Sequence, residues 1–194
     1  MTGSSLLVFA HDDEAAAFAE AGVPHLVTGV GKINATLELT RALLAAAGAR
    51  PIDAVVVLGT AGAIADAARL DTVYQIESAV QHDYSLPSPR LELPVPLGAE
   101  LVAETAVIAT GDVFVQDDAQ RVAIAASGAA LVDMESYAYA AVCARLGVPL
   151  RIFKTPSDFA DSSTTQGEWD GIVMTKSEQL LAFARDRLPE LLDG

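Results

Sequence analysis

The chain of 194 residues has one cysteine, Cys143, so no intrachain disulfide framework can form. That thiol and the histidines (His11, His25 and His82) lack metal-ligand spacing, so no metal site is predicted. Basic residues are scarce: 12 Lys and Arg stand against 26 Asp and Glu, a formal charge of −14. Such a surface repels nucleic-acid backbones and anionic lipid, which disfavours both as partners and favours a small molecule or a protein. No apolar run approaches the roughly 18–20 residues of a membrane span. The opening "MTGSSLLVFAHDDE" has no basic stretch before its short apolar run, unlike a signal peptide. A cytoplasmic location is therefore the expectation.

What the chain does have is apolar residues, 52% of the total, enough to bury a substantial core in one domain spanning residues 1–194. Strands are expected at Leu6–Ala10, His25–Thr28, Ala54–Leu58, Thr72–Val80, Ala106–Ala109, Ala130–Met134 and Leu150–Lys154. Helices are expected at Asp12–Ala21, Ala35–Ala47, Gln116–Ala126, Glu135–Leu146 and Gly171–Leu188. "GTAGAI" reads as a break after its strand, and the proline-rich His82–Pro96 as a loop. Alternating strands and helices predict a layered α/β fold with a largely parallel sheet. Ligands in such sheets gather beyond the C-terminal strand ends. That rule collects Glu14, Gly59–Gly62, Phe114, Glu135 and Asp158.

Several motifs carry little. "GVGKIN" (Gly29–Asn34) lacks the P-loop spacing, and Ile33 stands where a hydroxyl residue should follow Lys32, so a plain tight turn is favoured over a phosphate cradle. "GTAG" (Gly59–Gly62) suits close backbone approach of a ligand and a strand-to-loop turn about equally. Ser136 and Ser157 lack the Gly-x-Ser-x-Gly elbow of serine hydrolases. Glu14, Glu135 and Asp158 are the better signal. Singly, each is more often a helix-start carboxylate favoured by the dipole. Three carboxylates at one sheet edge make acid/base chemistry more credible.

In order along the chain, "FAHDDEAAAF", "TGVGKINAT", "VVVLGTAGAI", "ATGDVFV", "ALVDMESYAYAAVCARLGVP" and "KTPSDFAD" resemble the nucleoside phosphorylase and nucleosidase superfamily. The branch they are most similar to is the methylthioadenosine/S-adenosylhomocysteine nucleosidases. The resemblance implies a three-layer fold, with a central mixed, partly barrel-like sheet flanked by helices. It implies a homodimer, with the loop Leu86–Pro96 close to a neighbour's site, and no cofactor. It implies that Glu14 activates water, Asp158 recognises and protonates the base, and Glu135 receives ribose hydroxyls while Met134 packs on the sugar. Phe114 and Val115 would flank the purine, and Gly62 and Ser157 would complete substrate binding. A carboxylate accepts two hydrogen bonds from a vicinal diol, which suits Glu135 to that role. The chain departs from the family at Lys154, where an arginine is usual, and in its short "AEAGVPH" stretch. No arginine lies in "AHDDEAA" or "VLGTAG", so hydrolysis is expected over phosphorolysis, because phosphate there would meet Asp12, Asp13 and Glu14. The alternatives are a hydrolase or phosphorylase of another nucleoside, such as a futalosine-like one, and a nucleoside-binding protein without activity.

Overall fold

The computed structural model describes residues 4–48, 50–95, 100–162 and 166–192. The strands are β1 (Ser5–Phe9), β2 (Leu26–Val27), β3 (Ala54–Ala63), β4 (Tyr74–Gln81), β5 (Leu91–Glu92), β6 (Glu104–Thr110), β7 (Leu131–Asp133) and β8 (Leu150–Asp158). The helices are α1 (Asp12–Glu20), α2 (Lys32–Ala47), α3 (Asp118–Ala125), α4 (Ser136–Leu146) and α5 (Gln166–Arg187). None of the described helices is long and apolar enough to cross a membrane.

All the strands belong to one mixed sheet in the order β2-β1-β3-β7-β6-β4-β5, with β8 joining β3 to β4. Strands β3, β8, β4, β6 and β7 thereby close a ring, the barrel-like part of the sheet. Pairing is parallel for β1–β2, β1–β3, β3–β8, β4–β6 and β6–β7, and antiparallel for β3–β7, β4–β5 and β4–β8. The sheet is mixed because β3–β7, β4–β5 and β4–β8 run antiparallel among otherwise parallel pairs.

The alternation of side chains along each strand divides the core. Val8, Val55 and Val57 pack with Leu39 and Leu43 of α2 and Tyr139, Val142 and Cys143 of α4. Their neighbours Leu7, Phe9, Val56 and Leu58 point the other way, onto Phe18 of α1 and Leu180, Leu181 and Ala184 of α5. Strands covered on both faces explain the wholly apolar "AVVVL" of β3.

Three expectations need correction. "GTAGA" does not break β3, which runs on to Ala63 because β8 stays paired with it to Asp158 and β7 takes up its other edge at Gly62. Correspondingly, β8 extends past Lys154 to Asp158. The proline-rich loop contains the short strand β5, which pairs Ser78 with Glu92 and Ala79 with Leu91. Pro96 of that loop lies outside the described residues.

Candidate functional site

The site forms where β3 changes partners. Its first half pairs with β1 as far as Val57, and pairing with β7 starts only at Gly62. Between them that edge of β3 is open, and a cavity of about 350 Å³ fills the gap.

Glu14 enters this gap from the first turn of α1. His11 is the N-cap residue, and its Nδ1 accepts from the Asp13 amide at 3.2 Å. Glu14 Oε2 accepts from the amides of His11 (3.2 Å) and Ala10 (3.3 Å), the reciprocal half of a capping box. Its Oε1 accepts from the Thr60 amide at 2.6 Å and the Thr60 hydroxyl at 2.7 Å. That amide is available because β3 has no strand partner at Thr60 on this edge. Donors alone surround an acceptor-only carboxylate, and they hold it in one place.

Glu135 stands at the N-cap of α4 but makes no side-chain cap bond to its own helix. Its Oε1 instead accepts from the Gly31 amide at 2.8 Å. Gly31 has φ +94°, a region open mainly to glycine, and the "GVGKIN" turn thus points an amide into the cavity. Thr28, just before the turn, shares a 2.6 Å hydrogen bond with the buried Tyr139 hydroxyl of α4. Burial, reinforced by the neighbouring charge of Asp133, pushes the Glu135 carboxyl up to about 8. Asp133, the last residue of β7, accepts from the Thr110 hydroxyl (2.7 Å), the Ser136 amide (3.0 Å) and the Ser136 hydroxyl (2.6 Å). It also meets the Lys154 ammonium at 3.0 Å. Lys154 lies wholly inside the protein, 1% exposed.

Asp158 closes the opposite wall. Between Ala61 and Gly62 the β3–β8 register slips, so Ser157 is an extra residue in a bulge. The Ser157 hydroxyl donates to Asp158 Oδ2 at 2.6 Å, and the Ala160 amide donates to Oδ1 at 2.7 Å. Ala160 takes φ +50°, unusual for a residue with a side chain. This turn packs directly on Gly62: a Cβ there would come 2.7 Å from the Ala160 Cβ and 3.0 Å from Val132 Cγ1. Burial raises the Asp158 carboxyl above its ordinary range, with Asp161 adding to the effect, while the bonds from Ser157 and Ala160 oppose it.

The model of the phosphorylase superfamily matches residues 18–187. The chain belongs to that superfamily. A curated relative, the aminodeoxyfutalosine nucleosidase of Helicobacter pylori (strain ATCC 700392 / 26695), is 25% identical over 184 residues, covering 84% of this chain and 78% of the relative. Two solved structures illustrate the shared fold. One is a Helicobacter pylori MTAN mutant with 5′-methylthioadenosine in the active site, with TM-score 0.82, 21% identity, and coverage of 98% of this chain and 100% of that one. The other is a 5′-methylthioadenosine/S-adenosylhomocysteine nucleosidase from Colwellia psychrerythraea 34H in complex with adenine, with TM-score 0.82, 19% identity, and coverage of 98% and 96%.

In this superfamily chain, the eight residues singled out from sequence, Glu14, Gly62, Phe114, Val115, Met134, Glu135, Ser157 and Asp158, all line the one cavity. Sequence reasoning passed over Asp133, and gave no role to Thr60 within Gly59–Gly62 or to Lys154. Thr60 gives no signal, because its role depends on a change of strand partner. A lysine inside the apolar "LRIFKTP" was a readable sign of a buried charge needing partners. Among the described residues, no lysine or arginine lines the cavity. Among the described residues, no group of three or more His, Cys, Asp or Glu is arranged to hold a metal ion.

Proposed function

We propose that the chain is a nucleosidase that hydrolyses the N-glycosidic bond of a purine nucleoside of the 5′-methylthioadenosine/S-adenosylhomocysteine type. The observation that carries this is the convergence of Glu14, Glu135 and Asp158 on one cavity that, among the described residues, no lysine or arginine lines. Breaking the bond leaves positive charge on the ribose and negative charge on the base. Carboxylates near the sugar favour the first, and a proton delivered to purine N7 relieves the second. Asp158, raised by burial, suits the donor. Glu14, held by four donors, would orient the attacking water and take its proton. Glu135 would receive the ribose hydroxyls: among the described residues its Oε2 has no hydrogen-bond partner. Met134 would pack on the sugar, Phe114 and Val115 on the base, with Gly62 and Ser157 shaping the wall beside it. The chemistry needs no cofactor.

A phosphate co-substrate fits poorly. Its dianion would face carboxylates, and the nearby Lys154 is already engaged by Asp133. The curated relative favours a second substrate class, an aminodeoxyfutalosine-like nucleoside. We further propose that the chain is one domain and acts in the cytoplasm as a homodimer. Exposed Tyr84 and Leu86 in the loop after β4 are apolar surface on an otherwise acidic protein and suit an interface. The deciding experiment incubates the protein with 5′-methylthioadenosine, S-adenosylhomocysteine and aminodeoxyfutalosine, with and without phosphate. Free base plus free sugar without phosphate is the expected result. Sugar 1-phosphate would instead mean phosphorolysis, and binding without turnover would overturn the enzyme reading. Light scattering at micromolar concentration tests the dimer.

A further inference from the structure

Lys154 reaches none of the cavity's open surface, yet its ammonium lies among three carboxylates that do. It contacts Asp133 at 3.0 Å. Glu14 and Glu135 are near enough for their charges to act on it, and both favour its ammonium form. Gly59 makes room for this meeting, since a Cβ at that position would stand 3.1 Å from both Glu14 Oε1 and Lys154 Nζ. An apolar residue would fill the same space on β8 without the desolvation that a buried ammonium costs. We infer that Lys154, locked on Asp133 beside Glu14, is a positioning residue whose charge sets when Glu135 is ionised. The catalytic consequence rests on the nucleosidase reading; the electrostatic one does not.

The other groups facing this cluster come from every surrounding element. Helix α1 brings Glu14 and its N-cap His11, β7 brings Asp133, and α4 brings Glu135 and Tyr139. Burial and the carboxylates hold the Tyr139 phenol well above its ordinary range, so it stays neutral. Strands β3 and β6 contribute Thr60 and Thr110, which are uncharged. From β4, Tyr74 lies opposite Lys154 in register, with its hydroxyl accepting from the Arg69 amide. Helix α5 presents Ser177, which donates to the Glu14 carbonyl, and Lys176, which donates to the Leu70 carbonyl. Asp158 shares β8. Lys32, at the start of α2, is turned to Asp83 and Asp112. Lys154 is therefore the cation that opposes Asp133 at Glu135.

The test is the pH dependence of kcat/KM on 5′-methylthioadenosine for wild type, Lys154→Met, Lys154→Arg and Asp133→Asn. Removing the ammonium is expected to move the acidic limb to higher pH by about 1–3 units. Lys154→Arg should keep the wild-type limb. Asp133→Asn removes the opposing negative charge and should move the limb the other way. A folded Lys154→Met enzyme with the wild-type limb would overturn the inference. If Lys154→Met does not fold, Lys154→Gln takes its place, and a folded Lys154→Gln enzyme with the wild-type limb sinks the proposal. Carboxyl-carbon NMR titration of Glu135 in wild type, Lys154→Met and Asp133→Asn gives a second reading that needs no turnover. If wild type cleaves nothing, the nucleosidase reading fails, and the titration still decides the role of Lys154. An unmoved titration in the folded variants refutes it.

Discussion

The floor and the wall of the cavity hold carboxylates by opposite means. On the floor, Glu14, Asp133 and Glu135 gather round a buried ammonium, and backbone amides or hydroxyls reach each of them. On the wall, Asp158 has a hydroxyl and one amide, and the charge acting on it among the described residues is that of Asp161. The lesson is that residue type alone does not set a role. An acid on a desolvated wall without a counter-ion tends to keep its proton and can give it away. On the floor, Glu14, pinned by four donors, is suited to accept one, while burial and Asp133 favour the protonated form of Glu135 despite the ammonium.

The sharpest way to break this comparison is to remove each acid and vary the leaving group. Asp158→Asn should lose roughly 100- to 10,000-fold in rate on a purine nucleoside and recover in part on a nitrophenyl riboside, which needs no protonation. Glu14→Gln should lose a similar factor and recover on neither. Steady-state kinetics on both substrates check this, and equal losses for the two variants on both would dissolve the distinction between floor and wall.

Above about pH 8, where the carboxyl is ionised, Glu135→Gln should weaken transition-state binding by about 2–3 kcal/mol through loss of a charged hydrogen-bond partner, with the fold intact by circular dichroism. The same variant tests the electrostatics of the floor. The wild-type carboxyl sits near 8 in the folded chain and at the ordinary value of 4.5 when unfolded. The folded state thus binds the extra proton between those values, and stability should fall as pH rises from about 4.5 through 8. The size of that slope is on the order of a few kcal/mol, and Glu135→Gln should flatten it in denaturant melts.

Glycine substitutions compare how far each side can yield. At Gly62 the new Cβ meets the Ala160 Cβ, which the backbone fixes, so Gly62→Ala should cost about 1–3 kcal/mol of stability. At Gly59 it meets the far ends of Glu14 and Lys154, so Gly59→Ala should cost less stability while displacing Glu14 and lowering kcat. Thermal melts alongside kinetics separate the two. The smallest effect is expected at the rim, where Lys32 pairs with Asp83 at 2.6 Å with both side chains 20% exposed. Lys32→Ala should change stability by no more than about 1 kcal/mol and leave the pH–rate profile in place, in contrast to Lys154.

Taken by itself, the sequence determined the order of the elements and the layered α/β class, because strand and helix periodicities are local properties of side chains. It also marked Glu14, Glu135 and Asp158, since carboxylates following apolar strands stand out against their surroundings. It was misleading at "GTAGA", where glycines that look like a turn lie within β3 to let Ala160, Glu14 and Lys154 approach. Only the tertiary structure decided that Glu135 bonds to Gly31 on a distant turn instead of to its own helix, and that Thr60 donates to Glu14 across the sheet. It alone placed Lys154 among the carboxylates. These outcomes depend on strand partnership, on β3 leaving β1 before it reaches β7. A change of partner is a pairing between segments far apart in the chain, and no local pattern of residues encodes it.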